Sequence, residues 1–101
     1  VNRGEVWWAD DPAGPRPYLI LSRQTAIPVM QKVVVVPATT TVRGAPSELD
    51  LDEDDGMPRA CVLSFDNITT IPKSWLRSKI TTLQGERLVE VCRTLDRTTG
   101  C

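Results

Sequence analysis

The chain contains no histidine. Imidazole is the one side chain whose ordinary pKa lies near neutrality, so any acid–base chemistry here must use other groups. Its absence also excludes Cys/His zinc sites. The three cysteines, Cys61, Cys92 and Cys101, are widely spaced, with no Cys-x-x-Cys pair. An odd number of isolated cysteines reads as reduced thiols, and a nucleophilic cysteine would want a base that the sequence does not supply.

Aromatic residues are few: one Phe, one Tyr and three Trp in 101 residues. A monomer of this size and composition has a thin core, which a homodimer would help to bury. No apolar run approaches the roughly 20 residues of a membrane span, and no amino-terminal segment resembles a signal peptide. The expectation is one soluble, cytoplasmic domain over residues 1–101, without membrane contact.

A large charge excess is missing too. The net charge of −1 excludes a strongly basic, nonspecific nucleic-acid binder. The distribution is uneven: residues 1–45 hold five basic and three acidic side chains, residues 46–59 one and six, and residues 60–101 six and four. A short acidic block thus separates two mildly basic segments.

What the sequence does have is a series of strand signals. Glu5 to Ala9 and Arg16 to Ser22 flank the turn residues Asp10-Asp11-Pro12-Ala13-Gly14-Pro15, which predicts a hairpin. After a mixed connection broken at Pro28, Val33 to Val36 is a β-branched run suited to a central strand covered on both faces. Ser47 to Leu51 alternates polar and apolar residues, and Ala60 to Ser64 and Ile68 to Ile71 are two further strands. Lys73 to Arg77 reads as a short helical turn and Lys79-Ile80 as a brief pairing.

At the end of the chain the period changes. Leu88, Val91, Cys92 and Leu95 recur at helical spacing, with Thr82 as a candidate N-cap and Gly100 past the end. The fold expected is mainly β, a small and strongly bent antiparallel sheet closed by a C-terminal helix.

Adjacent strand residues point to opposite faces, so Trp7 and Trp8 cannot share one core, and one of them belongs at an interface. That interface could be a stacking platform for planar rings or a packing surface for a second protein chain. Trp75 reads as a packing residue. The run Asp50 to Gly56 has acids at its first, third and fifth positions, as calcium loops do. Its sixth position is Asp55 and its twelfth Cys61, which breaks that pattern and leaves a solvated turn.

The ordered motifs Arg3-Gly4-Glu5-Val6-Trp7-Trp8-Ala9-Asp10, Arg16-Pro17, Val35-Val36-Pro37-Ala38-Thr39-Thr40 and Asp66-Asn67-Ile68-Thr69-Thr70-Ile71 together resemble the MazF/PemK (Kid) toxins. Lys73 to Leu76 and the closing helix extend the resemblance over nearly the whole chain. It implies a half-open barrel of the kind shared with the CcdB toxin, in a homodimer held in check by a MazE-like antitoxin. The implied activity is a metal-independent, cofactor-free endoribonuclease acting on single-stranded RNA at short sequences. In the family the arginine before the proline and the first threonine after the Val-Pro strand end form the catalytic pair, which here are Arg16 and Thr39. Thr40, Cys61 and Asn67 fall at positions that resemble contributors to the RNA cleft. The chain departs from many members in its short loop Asp11 to Pro15, in Asn67 where glutamine is common and in Cys61 where serine is.

The pair is chemically suited to such a reaction. A guanidinium fork donates two parallel hydrogen bonds to phosphate oxygens and keeps its charge at any working pH, and a threonine hydroxyl adds a neutral donor. Attack by the neighbouring 2′-hydroxyl would select RNA over DNA and leave 2′,3′-cyclic phosphate and 5′-hydroxyl ends. Two other functions compete with this reading. One is a noncatalytic, CcdB-like toxin that binds DNA gyrase, although the chain ends in Thr98-Thr99-Gly100-Cys101 where that toxin has a Trp-Gly-Ile type tail. The other is an inactive module that only binds antitoxin.

Overall fold

A computed structural model describes residues 1–100. Seven strands precede one helix: β1 (Glu5–Ala9), β2 (Arg16–Ile20), β3 (Lys32–Thr39), β4 (Glu48–Leu51), β5 (Cys61–Ser64), β6 (Thr69–Pro72), β7 (Leu76–Thr82) and α1 (Glu86–Thr99). All pairings are antiparallel, in the order β4-β5-β3-β2-β1-β7, with β6 also on β3. The sheet stays open, since its end strands β4 and β7 do not pair with each other.

The central position expected for the valine run is the one it occupies. One edge of β3 pairs with β2, while its other edge pairs with β6 over Lys32 to Val35 and with β5 over Ala38 and Thr39. One strand serving two partners on the same side splits the sheet and bends it. Val33 and Val35 enter one apolar cluster, with Ala9, Tyr18, Ile20 and Ile71. Val36 and Ala38 enter the other, with Val6, Leu19, Leu63 and Phe65. Burial on both faces explains why the run does not alternate, although Val34 remains partly exposed at 38%.

The helix covers the second cluster with Leu88, Val91 and Leu95. Cys92, expected on that face, is exposed; Thr94 is the fully buried neighbour instead, its hydroxyl donating to the Glu90 carbonyl at 2.8 Å. Thr82 is not the N-cap. It belongs to β7, and the helix begins after Gly85, whose φ of 55° turns the chain without any side-chain cap. Gly100 ends the helix in the left-handed conformation, as its position predicts.

Two other expectations change. Lys79-Ile80 is the middle of a seven-residue strand paired along β1. The acidic block is more than a solvated turn. Asp52 and Asp55 close a capping box around Glu53–Asp55, and Asp55 then pairs with Arg87 of the helix at 2.8 Å. Arg87 also donates to the Asp50 carbonyl, so the block fastens α1 to the edge of the sheet.

Cys61 is buried and Cys92 exposed, while Cys101 lies outside the described residues. Among the described residues no helix is long and apolar enough to cross a membrane.

Candidate functional site

The ends of β2 and β3 meet at an open cleft of about 880 Å³. The last β2–β3 pair is Tyr18 with Pro37, and Arg16 and Thr39 lie two residues beyond it on their strands, both lining the cleft. Arg16 also pairs with Ala9 of β1, which fixes it at the rim of a three-stranded unit. Side chains two apart on a strand share a face, so Arg16 and Thr39 extend the side that carries Tyr18 and Val35.

All five residues singled out from the sequence, Arg16, Thr39, Thr40, Cys61 and Asn67, line this one cleft. Their backbone settings differ. Thr39 closes β3 and its Oγ1 accepts the Thr41 N–H at 3.1 Å, which turns the chain away from the sheet. Cys61 opens β5, one residue before Val62, the partner of Thr39. Asn67 ends a single helical turn, where its Nδ2 donates to the Ser64 hydroxyl at 2.8 Å.

The short loop after β1 is held to the rim. Asp11 accepts the Ala13 N–H at 2.8 Å and the Tyr18 hydroxyl at 2.7 Å. Those two donors, the backbone one first, keep the Asp11 carboxyl below its ordinary pKa. Tyr18 is pushed up to about 12, mainly by burial and then by its bond to Asp11. Burial, and next the charge of Asp55, raise the Cys61 thiol, so it is protonated at neutral pH.

The cleft holds two arginines that sequence reasoning passed over, Arg43 and Arg59. Arg43 lies 3.8 Å from the Glu48 carboxylate, which also accepts the Gly44 N–H at 2.8 Å. Arg59 follows Pro58 just before β5. Among the described residues, three arginines and no aspartate or glutamate line the cleft of a chain whose net charge is −1. A signal for this asymmetry existed in the sequence: from Pro12 to Ser47 there is no acidic residue, while Arg16, Arg23, Lys32 and Arg43 are present.

Trp8 lines the same cleft and is 37% exposed, whereas Trp7 packs with Trp75 into the apolar cluster of Tyr18 and Val35. The two tryptophans thus part as their alternation requires, with Trp8 at the open surface. The cleft's donors are guanidinium, hydroxyl and amide groups. With three guanidiniums and no carboxylate, this set suits an anion better than a metal cation.

Such a fold and site define a small, bent antiparallel sheet with an anion-receptive cleft at its strand ends. Residues 2–98 match the family described as PemK-like, MazF-like toxin of type II toxin-antitoxin system, and the chain belongs to that family. It is 45% identical to a "Probable endoribonuclease MazF2" of Mycobacterium tuberculosis over the full length of both chains. With "Probable endoribonuclease MazF5" of the same organism it shares 35% identity, over 98% of this chain and 93% of that one. Among solved structures, the "Mycobacterium tuberculosis toxin MazF-mt6" superposes with a TM-score of 0.88 at 31% identity, covering 95% of this chain and 96% of the other. An "Endoribonuclease in complex with its cognate antitoxin from Mycobacterial species" superposes at 0.87 with 26% identity, covering 99% and 95%.

Proposed function

We propose that this protein is a sequence-specific endoribonuclease toxin that cuts single-stranded RNA without a metal ion, with Arg16 and Thr39 as its catalytic pair. The observation that carries the reading is that both line one cleft at the ends of β2 and β3, a cleft with three arginines and no carboxylate. The names of the relatives support the substrate class.

The reaction proceeds by attack of the ribose 2′-oxygen on the adjoining phosphorus, with the P–O5′ bond breaking. The 2′-proton leaves, the 5′-oxygen gains one, and the products are a 2′,3′-cyclic phosphate and a 5′-hydroxyl. Arg16 donates its fork to the non-bridging oxygens, where negative charge grows in the transition state. Thr39 donates a second, neutral hydrogen bond. Preorganised donors of this kind are worth about 3 to 4 kcal/mol each, which gives electrostatics the main share of the catalysis. Thr40, Asn67 and Cys61 hold the flanking nucleotides as hydrogen-bonding groups, Cys61 as a neutral thiol. Trp8 offers an exposed ring on which a base can stack.

The reading extends to partners. Val29, Met30 and Val34 are exposed apolar residues, and a homodimer would cover part of such surface. An acidic, apolar antitoxin tail would fold along the groove of the dimer, a partner supported by the mycobacterial endoribonuclease solved in complex with its cognate antitoxin. A cytoplasmic location follows from an RNA substrate and from thiols kept reduced. The test is cleavage of single-stranded RNA in EDTA by the wild-type protein beside Arg16→Ala and Thr39→Ala, with identification of the new ends.

A further inference from the structure

Arg59 sits between two anchored points. Met57 is buried in the apolar cluster beneath the helix, and Cys61, also buried, opens β5. Upstream, Gly56 has a φ of 90° and packs tightly on Thr81, whose hydroxyl donates to the Asp55 carbonyl at 2.7 Å. The segment presenting Arg59 is therefore held at both ends, while Arg59 itself is exposed and, among the described residues, forms no ion pair. A guanidinium carried on an anchored segment beside a cleft that lacks carboxylates lacks only its anion.

Its position sets which anion. Val62 of β5 pairs with Thr39, and β2, which Arg16 opens, lies along the other edge of β3, so β5 and β2 are two strand spacings or about 9.6 Å apart. Arg16 opens β2 and Arg59 precedes β5, on opposite edges of β3, so the two guanidiniums serve separate points of one bound strand, and their mutual repulsion is relieved by separate phosphates. We infer that Arg59 is a second phosphate-binding residue of this cleft, gripping the RNA backbone beside the scissile linkage and not at it. This rests on the nuclease reading above.

The assignment separates binding from chemistry. Neutralising one phosphate of a single strand contributes about 0.7 to the slope of log affinity against log salt. In a Thr39→Ala background, which spares the probe from cleavage, binding of a fluorescein-labelled mixed-sequence single-stranded RNA is titrated across salt concentrations. Adding Arg59→Ala is expected to weaken binding about tenfold and to lower the slope by about 0.7, and Arg59→Lys to retain most of that slope. In the otherwise wild-type protein, Arg59→Ala is expected to raise KM while kcat stays within about threefold. A slope unchanged by Arg59→Ala, or a loss confined to kcat, overturns the Arg59 assignment and leaves the nuclease reading standing. Failure of the wild-type protein to cut RNA overturns both.

Discussion

The Tyr18 hydroxyl donates to the Asp11 carboxylate at 2.7 Å, tying the loop after β1 to the strand that carries Arg16. Tyr18 is almost wholly buried, and its phenol is pushed up to about 12 from an ordinary 10. A group whose pKa is raised on folding lends stability that is fully present below its unfolded pKa and is lost as pH rises through the folded one. The thermal midpoint is therefore expected to fall faster between pH 10 and pH 12 in the wild type than in Tyr18→Phe, which has no phenol to ionise. Parallel melting curves across that range would refute the link.

Arg87 joins three elements by pairing with Asp55 at 2.8 Å and Glu90 at 3.0 Å and by donating to the Asp50 carbonyl. Both Arg87 and Asp55 are substantially shielded from water, so removing the guanidinium leaves a carboxylate without its main counter-charge. Arg87→Ala is expected to cost about 2 kcal/mol in denaturant unfolding. A double-mutant cycle with Asp55→Ala should return a coupling of about 1 kcal/mol, and additive losses would contradict the clamp.

The adjacent tryptophans should separate cleanly in their effects. Trp7 packs in the cluster of Tyr18, Ile20 and Val35 and its Nε1 donates to Glu5 at 2.9 Å, so Trp7→Ala is expected to lose about 3 kcal/mol of stability. Trp8→Ala should leave stability within about 1 kcal/mol and instead weaken RNA binding by about 1 to 3 kcal/mol. Comparing unfolding midpoints with RNA affinity for the two variants checks this. The reverse pattern would move the stacking surface elsewhere.

Cleavage should lack the bell-shaped pH profile of an imidazole pair. Arginine stays charged, Tyr18 titrates only at about 12, and the Cys61 thiol is raised. The rate at saturating RNA is expected to climb steadily from about pH 6 to 9 as hydroxide removes the 2′-proton more readily. A plateau with an inflection near pH 6.5 would reveal a protein base that this cleft does not contain.

Much of the architecture was written in apolar spacing. The doubly buried valines of β3, the alternation of Leu49 and Leu51 and the helical repeat of Leu88, Val91 and Leu95 all found their places. What escaped was held by pairing and not by pattern. Leu76 to Thr82 is polar and half exposed, so its strand state comes from β1 alongside it. Thr82 is used in that strand, which leaves the helix start to Gly85. Thr94 is a threonine deep in the core because its hydroxyl bonds back to the preceding turn.

The cleft divides in the same way. Arg16 and Thr39 are picked out by the family resemblance, as the arginine before Pro17 and the first threonine after the Val-Pro strand end. Arg43 and Arg59 are lone arginines in loops, and only the fold of β5 against β3 brings them to the same surface.

Cleavage in EDTA tests the central claim most directly, with single-stranded RNA of mixed sequence as substrate. The wild-type protein should produce 2′,3′-cyclic phosphate and 5′-hydroxyl ends. Arg16→Ala and Thr39→Ala should each lower kcat by about 100- to 1,000-fold while melting as the wild type does. Undiminished cleavage by either variant, or activity that appears only when a divalent metal is restored, would contradict the account.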